Sequence, residues 1–209
     1  MSLAKQADAH ITEEEYLQGE LISETKHEYI GGDVYAMVGA STTHNLISSN
    51  ILSELKNDLK QKKSPCDVFS SDMKVKICDV ATSFFYPDVM VVCENNDNDD
   101  YYQNNPVIIV EVLSKSTRKK DLSSKRLCYF NIPSLEEYVV IEQDICQVIV
   151  FRKNDGWKSS FYFLGDEIRF DSIATALFVE DIYYHVDNND MLNFLKEREE
   201  LKEIAEKNN

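Results

Sequence analysis

The chain has 209 residues, 43% of them hydrophobic, and a formal net charge of −15. This length suits one domain with a sizeable core, and no run approaches the 18 or more apolar residues of a membrane span. Because the N-terminus also lacks an apolar signal-peptide core, we expect a cytoplasmic protein with no membrane partner.

The negative charge argues at first sight against nucleic acid, because phosphate binding normally leaves a basic footprint. The excess acids, however, fall in residues 1–33, 94–100 and 180–209. The rest of the chain is balanced, and residues 56–63 and 111–126 are locally basic. These two basic segments are compatible with a nucleic-acid partner.

The first half of the chain predicts a helix, a hairpin and a second helix. Thr12 and Glu15 have capping-box spacing at the start of the first helix. Residues 28–30 and 34–38 form strands that turn at Gly31 and Gly32. The second helix begins with Ser41 or Thr42 as N-cap and has a helical apolar period.

Strands dominate the middle and the end of the chain. Alternation of apolar and polar residues predicts a strand with one polar face at 67–79. The runs 83–92 and 106–113 are apolar on both faces, which predicts interior strands. After a short helix at 120–130, we expect strands at 136–143, 146–153 and 157–165, and then a charged helix at 190–209.

This order indicates an α/β (α+β) fold with a mixed central β-sheet flanked by helices. We expect a single domain over residues 1–209, with a core at about 12–180. The five cysteines show no CxxC spacing, and most lie in apolar runs. We therefore expect them to be reduced core residues.

Two carboxylates interrupt the apolar strands. Asp88 follows Pro87, which lacks a backbone donor, so the strand is expected to be at an edge or bulged there. Glu111 lies within the run at 106–113. Two carboxylates on neighbouring strands repel unless a cation or a shared proton lies between them. A site for Mg²⁺ or Mn²⁺ would resolve this, because Mg²⁺ takes one or two carboxylates plus waters and phosphate oxygens.

A lysine beside such a site would steady the charge of a transition state. Lys125 is the best candidate, because it shares a helix face with Leu122 and Tyr129 and points toward the preceding strand. Cations at the start of the same basic segment suit DNA phosphate contacts. They are Lys115, Arg118, Lys119 and Lys120.

At this point the sequence resembles the Uma-two family of restriction endonucleases, within the PD-(D/E)XK nuclease superfamily. The resemblance runs in order from about residue 12 to 180 through five blocks. They are HEYIGGDVYAMVGAS with His44 after it, SSDMKVKI, FFYPDVMVVC, PVIIVEVLSKST, and DLSSKRLCYFNIPSLEEYVVIEQD. It implies a restriction-endonuclease-like core, hydrolysis of phosphodiester bonds by a metal-activated water, and DNA as substrate.

Position by position, the resemblance makes Asp88 and Glu111 the metal-binding acids and Glu28 the early acidic position. The chain departs from the superfamily pattern at Leu113, where a lysine is usual. Similar proteins keep a lysine in the following helix, which matches Lys125.

Other interpretations remain open for several of these residues. Glu28 could be an ordinary surface acid, Lys125 a snorkelling lysine, and His44 either a core histidine or a supporting group in the site. Asp72 belongs to an Asp72-Met73-Lys74 motif in the wrong order for the superfamily, yet it could be a further metal or phosphate-side group.

Three hypotheses for the function follow. The first is a Mg²⁺-dependent DNA endonuclease, acting as a homodimer because two sites suit two-strand cleavage. The second is a catalytically inactive binding module that keeps the fold. The third is a hydrolase that uses the two carboxylates as acid and base without a metal.

Overall fold

The computed structural model describes residues 10–78, 81–94, 99–114 and 118–207. Its helices are α1 (Glu13–Ile22), α2 (Thr42–Gln61), α3 (Arg118–Asp121), α4 (Ser124–Phe130), α5 (Val179–Ile182) and α6 (Asn189–Lys207). Its strands are β1 (His27–Ile30), β2 (Asp33–Ala36), β3 (Asp67–Ser70), β4 (Lys74–Cys78), β5 (Thr82–Phe85), β6 (Val89–Val92), β7 (Tyr102–Gln103), β8 (Pro106–Val112), β9 (Glu137–Ile141), β10 (Gln147–Arg152), β11 (Lys158–Phe163), β12 (Glu167–Phe170) and β13 (Thr175–Phe178).

The expected mixed sheet flanked by helices is confirmed. Its strand order is β11-β10-β9-β8-β6-β3, and β8 and β9 are parallel while the other neighbours are antiparallel. The remaining strands of the first half form a second sheet, in the order β2-β1-β5-β4-β7. The hairpin β12-β13 was not foreseen.

Both faces of the mixed sheet are covered, as the two apolar strand runs predicted. On one face, Val110 and its neighbours pack against Ile47, Ile51 and Leu55 of α2. On the other face, Ile109 belongs to a second apolar cluster that includes residues of α4. The sheet therefore lies between two hydrophobic layers, which is why β8 has no polar face.

Two predicted strands are each split in the structure. The run 67–79 becomes β3 and β4, with a turn closed by the Met73 N–H donating to the Ser70 carbonyl at 3.0 Å. The run 83–92 becomes β5 and β6, with Pro87 in the break. Each pair divides between the two sheets, because the chain crosses from one sheet to the other at these points.

The helix caps and the first hairpin follow the predictions. Thr12 and Glu15 form a capping box on α1, and Ser41 caps α2. Gly31 and Gly32 adopt φ values of 55° and 101° between β1 and β2, which the absence of a Cβ permits. The helix expected at 120–130 is divided into α3 and α4, and α6 begins one residue earlier than expected.

The expectation of five reduced core cysteines is wrong. Cys66 and Cys93 form a disulfide, because β3 and β6 are antiparallel neighbours whose register places Asp67 opposite Val92. Cys78 is a free and exposed thiol, whereas Cys146 is free and buried. Among the described helices, no sequence combines the length and the hydrophobicity of a transmembrane segment.

Candidate active site

The two acids that interrupt the apolar strands lie side by side. Strands β6 and β8 pair with Val89 opposite Val110, so Asp88, one residue before β6, comes next to Glu111. Contrary to the expectation from the sequence, Pro87 lies neither at an edge strand nor in a bulge but in the gap between β5 and β6, where the backbone ladder ends. The Val112 N–H donates instead to Oδ2 of Asp88 at 2.7 Å, which fixes the carboxylate against the end of β8.

His44 reaches the other oxygen of Asp88. Its Nε2 lies 2.8 Å from Oδ1 of Asp88. The first turn of α2 positions the ring, because the Ser41 hydroxyl caps the helix by accepting the His44 N–H. The structure thus places His44 beside Asp88 rather than in the apolar face of α2.

Glu111 is buried and has two partners on α4. Its Oε1 accepts a hydrogen bond from the Tyr129 hydroxyl at 2.7 Å and lies 2.7 Å from Nζ of Lys125. Burial raises the pKa of Glu111 to about 8, although Lys125 opposes the shift. The negative charges of Asp121 and Asp88 act in the same direction as burial.

Lys125 bridges several carboxylates. Its side chain is 5% exposed, and its Nζ lies 3.0 Å from Oε1 of Glu28 and 3.9 Å from Oδ1 of Asp121. Burial alone would lower the pKa of Lys125, but the charges of Glu111, Glu28 and Asp121 outweigh it and raise the pKa. The ammonium is therefore held in its charged form between the acids.

Glu28 is held by two cations. Burial favours its neutral form, but Lys125 and Lys120 outweigh burial and lower the pKa of Glu28. Both oxygens are engaged, because Lys120 pairs with Oε2 and Lys125 with Oε1. Glu28 is thus an ionised partner of the lysines rather than a surface acid.

All of these charged groups line one open cleft with a volume of about 1420 Å³. The connection from β2 to α2, α3 and the start of α4 all contribute to its lining. Glu111 and Lys125 lie at the bottom of this cleft, where both side chains are buried. Substrate could therefore approach from the open side.

Only some of the cations predicted to contact phosphate line the cleft. Arg118 and Lys120 line the cleft, but Arg118 pairs with Glu142 and Lys120 with Glu28. Lys119 is exposed, and Lys115 lies outside the described residues. The lysines of residues 56–63 do not line the cleft, because they lie on the last turns of α2 and just beyond it.

Asp72 does not join the carboxylates of the cleft. Its side chain is 83% exposed in the turn between β3 and β4, and it pairs with Lys26. The polar face predicted for residues 67–79 does not exist as one surface, because that run is split between two sheets.

Tyr129 was missed as a site residue. The sequence places it on the same helix face as Lys125, and its apolar neighbours predict a core position for the tyrosine. The structure shows that Tyr129 is fully buried and directs its hydroxyl at the same Glu111 oxygen as Lys125. A tyrosine four residues after a buried lysine was the available signal.

The donor set fits a hard divalent cation. Asp88 and Glu111 offer carboxylate oxygens, and Mg²⁺ is usually bound through one or two carboxylates plus waters. Within the described part of the chain, no group of three or more His, Cys, Asp or Glu side chains converges as a metal site. Two protein carboxylates suit Mg²⁺ or Mn²⁺ better than metals that require a closed protein cage.

Comparison with known proteins identifies similar sequences. The Uma2 family, described as "Putative restriction endonuclease", matches residues 13–175. The chain is 32% identical over 176 residues to the uncharacterized protein slr1290 of Synechocystis sp., covering 83% of this chain and 91% of that protein. It is 36% identical over 146 residues to the uncharacterized protein sll1609 of the same organism, covering 68% and 81% respectively.

A solved structure has a similar fold. It is the crystal structure of a putative nuclease belonging to DUF820 from Anabaena variabilis, with a TM-score of 0.63 and 19% sequence identity. The similarity covers 77% of this chain and 91% of that chain. The expected restriction-endonuclease-like core is thereby confirmed at the level of the fold.

Proposed function

Because the chain belongs to the Uma2 family of putative restriction endonucleases, we propose that it is a Mg²⁺- or Mn²⁺-dependent endonuclease that hydrolyses DNA phosphodiester bonds. One observation carries the proposal. Asp88 and Glu111 meet at the same end of neighbouring strands, in an open cleft, with the Lys125 ammonium 2.7 Å from Glu111.

In this proposal Asp88 and Glu111 hold the cation through their carboxylate oxygens. The bound cation supplies Lewis-acid activation of the attacking water and neutralises charge on the phosphate. Val112 and His44 hold the two Asp88 oxygens in place, and Tyr129 does the same for Glu111. Such partners fix the orientation of ligands and tune their basicity.

Lys125 supplies positive charge beside the reacting phosphate. Its burial makes the electrostatic effect stronger than it would be in water, because the local dielectric is lower. The position two residues after Glu111 is the buried Leu113, so the cation comes from α4 instead of β8. Glu28 supports this arrangement, because it contacts Lys125 and keeps the ammonium charged.

The proposal also includes the expected partners. DNA phosphates would contact Lys119 and, after exchange of their carboxylate partners, Arg118 and Lys120. Cleavage of both strands of a duplex would need two sites, which favours a homodimer. We propose that the protein acts in the cytoplasm.

A nicking assay tests the function. Purified protein would be incubated with supercoiled plasmid in Mg²⁺, Mn²⁺ or EDTA, beside Asp88→Ala, Glu111→Ala and the control Glu136→Ala. Glu136 is a half-exposed acid that pairs with Lys153 outside the cleft. We expect the wild type to nick the plasmid only when a metal is present. The nicking rate should fall by about 100-fold or more in both cleft variants and stay unchanged in the control.

The controls separate the alternatives. Nicking that persists in both cleft variants would overturn the proposed site. Nicking by the wild type in EDTA, lost in both variants, would instead indicate that the carboxylates act as acid and base.

A catalytically silent binding module is the second candidate. Each of the four cations among the described residues that line the cleft pairs with a carboxylate, including Lys125. Such a network can serve to hold a surface in shape. Metal-independent binding of DNA without strand cleavage, at levels that Asp88→Ala leaves unchanged, would favour this function.

A further inference from the structure

The lining of the cleft consists of two parts that differ in chemistry. One part is the connection from β2 to α2, and residues 34–43 carry no ionisable side chain apart from Tyr35. Tyr35 and Val38 are 47% and 77% exposed in this part. Large apolar groups at such exposure, beside a polar site, are typical of a contact surface for a ligand. We call residues Tyr35–Ala40 the apolar wall.

The rest of the cleft lining is acidic. Among the described residues that line the cleft, eight carry carboxylates and four carry cationic side chains. The four cations are Lys26, Arg118, Lys120 and Lys125, and each pairs with an acid. Duplex DNA binds mainly through phosphates that Lys and Arg neutralise, and it has a high charge density. The cleft lacks the surplus of cations that this mode requires.

A single DNA strand is bound through different contacts. Its charge density is lower, and its bases can stack on aromatic rings and pack on apolar side chains whatever their sequence. Tyr35 offers such a ring, and Nζ of Lys120 lies 5.3 Å from its centroid. Lys120 lies over this ring and pairs with Glu28, so a base that takes its place on Tyr35 would bring a phosphate close to Lys120.

We propose that the cleft binds DNA as an unpaired strand, with bases on the apolar wall and the backbone directed toward Asp88 and Glu111. This inference rests on the proposed function, because it specifies the form of the same substrate. It makes Tyr35 and Val38 substrate-binding residues.

Fluorescence anisotropy of a short fluorescein-labelled oligonucleotide tests the inference, with the full chain in EDTA and in Ca²⁺. The same sequence would be offered single-stranded and as a duplex. The variants are Tyr35→Ala and the control Tyr101→Ala. Tyr101, which is 54% exposed, lies beside β7 at the opposite edge of the sheet that begins with β2, and it does not line the cleft.

We expect the single strand to bind about tenfold or more tightly than the duplex, and Tyr35→Ala to weaken single-strand binding about tenfold, as loss of one stacked base predicts. Tyr101→Ala should bind like the wild type. Circular dichroism spectra of all three proteins would establish that the variants are folded.

Equal or tighter binding of the duplex, or equal effects of the two tyrosine variants, would overturn the inference. Failure to bind either form of DNA would overturn it as well. The outcome is separable from that of the nicking assay: single-strand preference without cleavage would reject the nuclease alone, and cleavage with duplex preference would reject only this inference.

Discussion

The Tyr129 hydroxyl and the Glu111 carboxylate form a hydrogen bond of 2.7 Å in the buried floor of the cleft. Lys125, one helical turn earlier on α4, approaches the same oxygen over the same distance. One helix thus fixes one oxygen of the acid from two directions. In a buried polar network, loss of one partner leaves another polar group unpaired at a high free-energy cost. Substitutions at Glu111 and at its two partners therefore test the site directly.

Tyr129→Phe should therefore affect metal binding as well as stability. We expect the free energy of unfolding to fall by about 1–2 kcal/mol, because a buried hydrogen bond is lost. The Mn²⁺ dissociation constant should rise about tenfold, as is common when the partner of a metal ligand is removed. Denaturant unfolding and calorimetric titration measure the two effects.

Tyr138→Phe is the matched control for this prediction. Its hydroxyl donates to the Asp121 carbonyl at 3.1 Å in the same buried region but does not reach Glu111. Stability should fall similarly while Mn²⁺ affinity stays unchanged. Equal Mn²⁺ affinity in both variants would contradict a positioning role for Tyr129.

Lys125→Met should destabilise the protein strongly. Removal of the cation leaves Glu111, Glu28 and Asp121 near one another without the charge that bridges them. Breaking a buried ion pair in this way costs about 3–5 kcal/mol. Lys119 is an exposed lysine on α3, so the control Lys119→Met should change the free energy of unfolding little. Similar values for the two variants would show that Lys125 is not part of a buried network.

The stability of the metal-free protein should depend on pH through Glu111. Its pKa is about 8 when folded and about 4.5 ordinarily, so the folded chain holds this proton more tightly. The stabilisation from Glu111 is complete below about pH 4.5 and is lost as the pH rises through 8.

Glu111→Gln removes this titration while it keeps the shape of the side chain. Relative to wild type, the variant should gain roughly 3 kcal/mol in unfolding free energy between pH 5 and pH 8. Urea unfolding in EDTA at several pH values measures the difference. A difference that is constant with pH would mean that Glu111 has an ordinary pKa.

Thiol titration tests the disulfide. Denatured but unreduced protein should show three free thiols, and five after reduction. In the native state Cys78 should react first and Cys146 last, because burial raises the pKa of Cys146 to about 11. The disulfide closes a separation of 27 residues, so Cys66→Ser with Cys93→Ser should cost about 3 kcal/mol. Five reactive thiols without reduction would contradict the bond.

Local features were predictable from the sequence because their causes are local. The capping box of Thr12, the Gly31-Gly32 turn and the apolar run of β8 each depend on neighbouring residues alone. The adjacency of Asp88 and Glu111 was also predictable, since both interrupt interior strands that follow one another.

Relations between distant segments were not predictable in this way. Alternation marks a strand but does not say which sheet it joins, so it does not show that the chain changes sheets at Ser71–Asp72 and at Pro87. The Cys66–Cys93 bond depends on the pairing of β3 with β6. His44 meets Asp88 only because α2 packs across the mixed sheet.

The central claim is that Asp88 and Glu111 together bind a divalent cation. Isothermal titration calorimetry of Mn²⁺ into wild type, Asp88→Asn and Glu111→Gln tests it most directly, because it needs no DNA. We predict one site per chain in the wild type and its loss in each of the two variants. Unchanged Mn²⁺ binding in either variant, or no binding by the wild type, would contradict the claim.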